Sequence, residues 1–286
     1  MLKILHLSDL HLDKESVRDQ RVVLRALFSD IAARVAEDGP YDLVFFTGDL
    51  IAKGGYTDTN KLLAVKEFIL PLGEAAKVAP DQIFFAPGNH DVDLRSQSGI
   101  IANAQSNLAS DESISRYIEE ACGPGLSTGL EGFNSIADDI ASPYIVLKNT
   151  HYRAFALTVG GVKVGVATLN SAWHATGAPS DGDYGKLLVG RRQLDDVVDA
   201  LRDCQIKLAL IHHPLKWLAP KDSQNTHRQL MTHFDALFHG HNHEPDAQTI
   251  SGASNSYFVS NAGCLYQHRD YFNGYCSITY RETDGR

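Results

Sequence analysis

The sequence is short of cysteine and of basic residues. Its four cysteines, in 286 residues, show no C-x-x-C spacing, which argues against a disulfide framework and against a C-x-x-C redox or zinc motif. Lysine and arginine together number 26, against 35 aspartates and glutamates. Non-specific binding to nucleic acid depends on lysine and arginine, so this balance argues against a general polyanion-binding surface. We therefore expect reduced, mostly buried thiols and no broad contact with nucleic acid.

Long hydrophobic runs are absent as well. No stretch of the sequence approaches the length of a transmembrane helix. The apolar start, residues 1–7, is interrupted by Asp9 and His11 before a signal-peptide core could form. The content of 43% hydrophobic and 21% charged residues is ordinary for a globular chain with a sizeable core. The sequence thus predicts a cytoplasmic protein without a membrane partner, and it leaves the oligomeric state open.

What the sequence does have is five short clusters of metal-binding residue types, each directly after an apolar run that predicts a strand. The clusters read Asp9-Leu10-His11, Gly48-Asp49, Gly88-Asn89-His90-Asp91, His212-His213-Pro214 and Gly240-His241-Asn242-His243. Carboxylate, amide and imidazole groups are ligands that Mn, Fe, Zn or Co accept. Side chains from five strand ends converge only if the strands lie side by side. The clusters therefore predict one metal centre at the end of a sheet.

The order of predicted elements indicates an α/β fold. Strands at residues 3–8, 43–47 and 82–86 alternate with helices at 17–36 and 60–77, which favours a largely parallel sheet. A kink or break is expected at Pro71. A hairpin is predicted at 152–170, where Gly160 and Gly161 suit a two-residue turn. Later strands are predicted at 206–211, 236–239, 257–261 and 275–280, with a helix at 190–203.

Residues 92–150 interrupt this alternation with a long, polar and acidic segment that is poor in strands. Short helical patches are predicted near 113–121 and 132–140. Long inserted segments in compact domains are usually functional, so we interpret this one as a cap over the mouth of the site. The alternative is a surface embellishment away from the site. In either case we expect one domain spanning residues 1–286.

The order D-x-H, GD, GNHD, H, GHxH resembles that of the calcineurin-like, or binuclear, metallophosphoesterase superfamily. The resemblance spans Asp9 to His243 with no block missing. It implies a two-sheet β-sandwich flanked by helices, with two divalent metal ions about 3.5–4 Å apart. The metals would be Mn, Fe, Zn or Co, with Mn or Fe favoured. They would activate a hydroxide that hydrolyses a phosphoester.

The same resemblance assigns a role to each cluster. Asp9, His11 and His243 would hold one metal, and Asn89, His212 and His241 the other, with Asp49 bridging both. His90 would be a catalytic residue that points at the scissile phosphate without binding metal, and Asp91 would orient it.

Two further histidines are weaker candidates for the substrate pocket. His213 is adjacent to His212, and neighbouring residues at a strand end point in opposite directions, so only one of the two easily becomes a ligand. His212 matches the first position of the family's H-x-P block, which leaves His213 as a candidate for substrate binding. His174 follows a predicted strand on the side where the ligands gather.

The substrate class is less well defined. Protein phosphatases of this superfamily carry a GD-x-V-D-R-G block, whereas residues 48–54 here read GDLIAKG. The resemblance is therefore to the phosphodiesterase branch, and a nucleotide or other small diester is the first expectation. A nuclease acting on single-stranded DNA or RNA is opposed by the acidic insertion but favoured by Lys216, Trp217, Lys221 and Arg228. A phosphomonoesterase is a further alternative. A scaffold without catalysis is the last, because no block residue is lost.

Overall fold

Two β-sheets packed face to face form the centre of the molecule. The structure is a computed structural model, and it describes residues 1–99, 108, 110–120, 126–140, 143–177, 182–266 and 273–281. The first sheet has the order β11-β1-β2-β3. Its strands are β1 (Leu2–Leu7), β2 (Leu43–Phe46), β3 (Ile83–Phe85) and β11 (Cys276–Tyr280). β1, β2 and β3 run parallel, and β11 pairs with β1 antiparallel.

The second sheet has seven strands in the order β4-β5-β6-β7-β8-β10-β9. They are β4 (Ile145–Lys148), β5 (Arg153–Val159), β6 (Val162–Thr168), β7 (Ile206–Leu210), β8 (Ala236–His239), β9 (Asp246–Ser251) and β10 (Ser256–Asn261). The central strands β6, β7, β8 and β10 are parallel, and the edges are antiparallel. The predicted hairpin is confirmed: Gly160 and Gly161 join β5 to β6 with φ of 56° and 87°, the positive values that a primed turn requires.

The strands that carry the clusters are buried on both faces. In β2, Phe45 packs between the two sheets while Val44 and Phe46 face the helices outside. In β1, Ile4 packs between the two sheets and Leu5 faces the helices outside. Successive side chains of a strand point to opposite faces, so a strand covered on both sides needs a continuous apolar run. Each fully buried side chain of this size contributes roughly 1.5–3 kcal/mol.

Helices cover the outer faces of both sheets. The first sheet is covered by α1 (Val17–Asp38), α2 (Asp58–Leu63) and α3 (Leu70–Ala76), and the second by α6 (Arg191–Ala200) and α7 (Pro220–His233). The expected irregularity at Pro71 takes the form of a π-helical segment, Ala64–Ile69, directly before α3. Proline has no N–H to donate, so a regular helical hydrogen bond is lost there.

The inserted segment contains α4 (Asp111–Glu120) and α5 (Glu131–Asp139) and ends in β4. Both helical patches predicted there are confirmed. Tyr117 and Ile118 of α4 join the core outside the second sheet, and Phe133 of α5 joins the core outside the first. β4 and β9 were not predicted, because they lie at opposite edges of the second sheet, where half or more of their side chains are exposed. The helix α7 was not predicted either. Within the described ranges, no helix combines the length and apolar character needed to cross a membrane.

Candidate metal centre

The predicted metal-binding clusters come together where the carboxyl ends of both sheets meet. Asp9, His11, Asp49 and Asn89 follow strands of the first sheet, and His212, His241 and His243 follow strands of the second. The backbone N–H of His241 donates to Asp9 Oδ2 at 3.1 Å, which ties the two sheets together. The expectation that all five strands lie side by side is therefore wrong. The strands are neighbours within each sheet, and the convergence arises because the two sheets stack with their carboxyl ends at the same side.

One group of ligand atoms surrounds Asp9. Its Oδ1 lies 3.2 Å from His243 Nε2 and 3.9 Å from His11 Nε2. Asp9 is fully buried, whereas the two histidine side chains keep 24% and 18% of their surface exposed. The buried thiol of Cys264 also lies here, and it donates to the carbonyl of Asp9 at 3.1 Å. This group can hold one metal ion, with an open side toward solvent.

A second group surrounds His212. Its Nε2 lies 3.2 Å from His241 Nδ1, and its Nδ1 lies 2.6 Å from the carbonyl oxygen of Thr47. That carbonyl fixes the tautomer of His212 with the proton on Nδ1, so Nε2 keeps its lone pair for a metal. Asn89 Oδ1 lies 3.1 Å from His213 Nε2, and His213 belongs to the same cluster as His212 and His241.

Asp49 lies between the two groups. Its Oδ2 is 3.8 Å from His11 Nε2 on one side and 3.4 Å from His212 Nε2 on the other. The side chain is almost fully buried. A single carboxylate within reach of both histidine groups has the placement that a bridging ligand needs.

The backbone adopts an unusual conformation at these ligands. Five of the seven predicted ligands have φ between 49° and 71°, namely Asp9, His11, Asp49, His241 and His243. Residues other than glycine seldom adopt this left-handed region, because each such residue costs of order 1–3 kcal/mol and persists only where the surrounding structure over-determines it. Such strain clusters at functional sites. The loops also approach closely: a Cβ on Gly88 would lie 2.5 Å from the Asp49 nitrogen and closer still to its carboxylate.

The electrostatics of the cluster suit divalent cations. Burial by itself would raise the pKa of Asp9, but His243 and His212 outweigh it and lower that pKa to about 2. Burial would likewise raise the pKa of Asp49, and His212 holds it well below its usual range. Burial opposes protonation of His212, yet Asp49 raises the pKa of that imidazole to about 9. Among the described residues, only histidines form ion pairs with these two buried carboxylates. Two buried anions facing several imidazole nitrogens form a donor set that fits two borderline-hard metal ions.

His90 lies at the edge of this cluster. Its backbone N–H donates to Asp49 Oδ1 at 2.8 Å, and its ring packs edge-on against the ring of His11 with centroids 4.7 Å apart. Its Nδ1 accepts the backbone N–H of Lys53 at 3.4 Å. The imidazole therefore lies at the ligand cluster, near enough to His11 and Asp49 to share a metal with them, and its Nε2 is the nitrogen that remains for a metal or a substrate.

Asp91 was expected to orient the ring of His90, and its hydrogen-bond partners lie elsewhere in the site. Its fully buried carboxylate accepts backbone N–H groups of Asp49 and Gly88 and the hydroxyl of Tyr56, rather than supporting the ring of His90. Burial and the neighbouring Asp49 raise the pKa of Asp91 to about 6, against the opposing effect of the Tyr56 hydrogen bond. Asp91 is the last residue of the 3-10 turn Asn89–Asp91, and its side chain folds back to accept the N–H of Gly88, at the start of that turn. Asp91 therefore acts on the backbone of the site.

The two weaker candidates have different positions. His213 is buried between Ser171, whose Oγ lies 2.8 Å from Nδ1, and Asn89, and it lines a cleft beside the cluster. His174 packs against Trp173 and is not among the described residues that line this cleft. The structure thus brings His213 to the site and places His174 outside the cleft wall.

The cleft has a volume of about 660 Å³. One wall is polar, and the other includes Trp217, whose ring packs edge-on against His241 with centroids 4.2 Å apart. Its lining residues are Lys53, Asn89, His90, Val92, Asp93, Leu94, Arg95, Gly177, Asp183, His213, Trp217 and His241. The start of the inserted segment, Val92 to Arg95, therefore forms part of the wall. The role of residues 92–150 as a cap stays a prediction.

Sequence reasoning missed Lys53 and Cys264 as members of the site. Lys53 lines the cleft with φ of 54°. The available signal was its position four residues after Asp49, where the GD-x-V-D-R-G block of related phosphatases has arginine. Cys264 follows β10 and lies next to Asp9 through a parallel bridge with Ser8. No local pattern marked it, because the contact joins opposite ends of the chain.

Comparison with known proteins identifies related folds. A family model described as calcineurin-like phosphoesterase matches residues 2–245. Among solved structures, a dimetal phosphatase from Danio rerio is similar at 12% identity and a TM-score of 0.54, over 96% of this chain and 91% of that one. A 5′-nucleotidase precursor from Thermus thermophilus is 14% identical with a TM-score of 0.49, over 92% of this chain and 49% of that one. The search of curated proteins finds no match.

Proposed function

The chain belongs to the calcineurin-like phosphoesterase family, and from that premise we propose that it is a phosphodiesterase with a dinuclear metal centre. The family supports a metal-dependent hydrolase of phosphoric esters. The observation that carries the proposal is the placement of Asp49 between two groups of ligand atoms. The preference for a diester rests on further features of the chain.

We assign the metal ligands as the resemblance implies. Asp9, His11 and His243 hold one ion, Asn89, His212 and His241 hold the other, and Asp49 bridges them. Bound divalent ions would supply Lewis-acid polarisation of the phosphoryl oxygens and an activated water molecule. Mn or Fe is the proposed metal, because these ions accept carboxylate, amide and imidazole ligands.

His90 is proposed as the residue that donates a proton or a hydrogen bond to the reacting phosphoryl group. Because its Nδ1 accepts the N–H of Lys53, the neutral ring carries its proton on Nε2. The neutral ring can then donate an Nε2–H hydrogen bond to a non-bridging oxygen, whereas protonation of the departing alkoxide requires the protonated ring, which gives up one proton and returns to the neutral form. Asp91 contributes indirectly, since it holds the backbone of Asp49, whose carboxylate in turn accepts the backbone N–H of His90.

The cleft supports a small substrate. A volume of about 660 Å³ falls within the roughly 300–1,000 Å³ of small-molecule sites. Lys53 and Arg95 provide positive charge on one wall, whereas Leu94 and Trp217 offer apolar surface to the organic part of an ester. We propose that these residues bind the substrate, with His213 beside the phosphoryl group.

A diester is favoured over the alternatives for two reasons. The Asp-Arg-Gly element of the protein phosphatases is missing, since Ala52, Lys53 and Gly54 stand in its place. A nuclease is less well supported than the sequence suggested, because Lys221, one of the basic residues that favoured it, is ion-paired with Asp111 at 3.1 Å. A phosphomonoesterase therefore moves ahead of the nuclease as the second candidate. A scaffold without activity stays the last, because the predicted ligands are all present.

The proposal is tested by turnover of a bis-aryl phosphodiester and of the matching monoester, each with added Mn, in parallel with Asp49→Asn as the inactive control. We expect the diester to be hydrolysed faster. A clear preference for the monoester would move the assignment to phosphatase. Preferred cleavage of single-stranded DNA or RNA would move it to nuclease, and metal binding without turnover of any ester would indicate a scaffold.

A further inference from the structure

Asp91 fastens the loop after β2 to the loop after β3. Its Oδ2 accepts the backbone N–H groups of Asp49 and Gly88, each at 2.8 Å. Its Oδ1 accepts those of Leu50 at 3.0 Å and Ile51 at 3.3 Å. One buried carboxylate thus binds four N–H groups on two loops that carry proposed metal ligands. The position of this carboxylate determines the position of both loops.

Besides these four backbone groups, the side chain of Tyr56 also binds Asp91. Its hydroxyl donates to Asp91 Oδ1 at 2.5 Å. The carboxylate is fully buried, whereas Tyr56 is partly buried. Tyr56 follows the short turn Ala52–Gly54 and lies outside all five sequence clusters. It also lies outside the lining of the cleft, so it does not reach a substrate there.

Gly132 of the inserted segment determines where Tyr56 can lie. A Cβ built on Gly132 would be 2.6 Å from Tyr56 Cγ and closer still to its Cβ. Real Cβ atoms do not approach other atoms this closely, so the first turn of α5 contacts Tyr56 through a bare backbone. The next residue, Phe133, packs edge-on against the Tyr56 ring, with centroids 6.5 Å apart. Glycine is a poor helix former, and at this position it has a packing reason.

We infer that Tyr56 is a positioning residue of the metal centre and that α5 of the inserted segment braces it through Gly132. The contact path runs from Gly132 to the ring of Tyr56, from its hydroxyl to Asp91, and from Asp91 to the backbone of Asp49. The helix α5 therefore supports the metal loops, the loops after β2 and β3 that Asp91 fastens together, without lining the cleft. Val92 to Arg95, by contrast, form part of the cleft wall. The inference rests on the proposed metal centre.

The test compares Tyr56→Phe with Tyr152→Phe. Both variants lose a tyrosine hydroxyl that donates to an aspartate, since the Tyr152 hydroxyl donates to Asp196 Oδ2 at 2.6 Å, but Tyr152 lies away from the metal loops. Changes in residues that support metal ligands typically lower metal affinity or activity by about 10–100-fold. We expect Tyr56→Phe to lose Mn affinity by that factor in titrations followed by Mn electron paramagnetic resonance. Tyr152→Phe should lower Tm without changing Mn affinity.

Saturating Mn distinguishes a positioning role of Tyr56 from a general loss of protein stability in Tyr56→Phe. In Tyr56→Phe, saturating Mn should restore most of kcat with an unchanged KM, because the substrate contacts are intact. An unchanged Mn affinity in this variant, or the same loss in Tyr152→Phe, would overturn the role of Tyr56. A wild-type protein that binds no Mn, Fe, Zn or Co would instead refute the metal centre itself.

Gly132→Ala tests the brace separately. The added methyl group must displace Tyr56, so we expect a loss of Mn affinity that is not additive with Tyr56→Phe, since both act through one hydroxyl. Gly99→Ala is the matched control, because a Cβ there would meet nothing within 4 Å. Full additivity of the two changes, or equal losses in Gly132→Ala and Gly99→Ala, would refute a path through α5. If Gly132→Ala does not fold, Tyr56→Phe still decides the role of Tyr56, and Phe133→Leu, which removes the ring contact of α5 with Tyr56, tests the brace by the same Mn titration: an unchanged Mn affinity would refute it.

Discussion

Replacement of His90 by alanine should leave both metals bound and remove most of the catalysis. The bonds that connect His90 to the cluster are made by its backbone, whose N–H donates to Asp49 Oδ1 at 2.8 Å, so truncation of the ring keeps that contact. What is lost is the Nε2–H donor, together with the Nδ1 acceptor of the Lys53 N–H. Loss of a positioned general acid typically costs about 10²–10⁴-fold, which corresponds to about 3–5 kcal/mol of transition-state stabilisation.

The assay distinguishes two roles of His90 by the leaving group. Wild type and His90→Ala are compared on an alkyl diester and on a nitrophenyl diester, with metal content measured in both proteins. If His90 protonates the leaving oxygen, the loss should shrink for nitrophenolate, which needs no proton. A similar loss on both diesters would instead indicate stabilisation of charge on the phosphoryl oxygens. His174→Ala, outside the cleft wall, serves as the control. A metal-depleted His90→Ala, or one fully active on the alkyl diester, would refute the assignment of His90 as a catalytic residue that binds no metal.

Three further predictions follow from the geometry. Asp49→Asn should reduce occupancy of both metal positions, whereas Asp9→Asn should mainly empty one; equal losses by elemental analysis would contradict the bridging role of Asp49. Lys53→Gln, which keeps the backbone N–H that His90 accepts, should raise KM for a diester more than it lowers kcat, and an unchanged KM would remove Lys53 from the substrate site. His151 should make stability depend on pH: burial lowers its pKa from 6.5 to about 4, so between these values the unfolded chain binds the extra proton. Above pH 6.5 His151 is neutral in both states and the free energy of unfolding is at its full value. As the pH falls from 6.5 toward 4, protonation of His151 in the unfolded chain lowers the free energy of unfolding by up to about 3 kcal/mol. Metal-free His151→Phe should therefore show a flatter dependence of unfolding free energy on pH than metal-free wild type, and equal slopes would refute this account.

The sequence by itself determined the buried strands that carry the clusters, the clusters themselves and the family. Strands β1, β2, β3, β7 and β8 are buried on both faces, and such strands need continuous apolar runs that are visible without a structure. The metal-binding residue types follow these runs within a few positions, so their order along the chain is local information. The hairpin at Gly160 and Gly161 was equally predictable, because a turn with positive φ favours glycine.

Only the tertiary structure decided which side chains meet across long separations in the chain. The two sheets had to stack before Asp9 could lie beside His243, and no periodicity encodes that arrangement. Asp91 was expected to contact its neighbour His90, yet it accepts backbone N–H groups of Asp49, Leu50 and Ile51, 40 to 42 positions away, besides that of Gly88 and the hydroxyl of Tyr56. No sequence pattern indicated the roles of Tyr56 and Gly132, because these roles depend on the packing of α5, in the inserted segment, against Tyr56. The physical reason is that ligand types and strand periodicity are local properties, whereas hydrogen-bond partners and close packing are set by the three-dimensional fold.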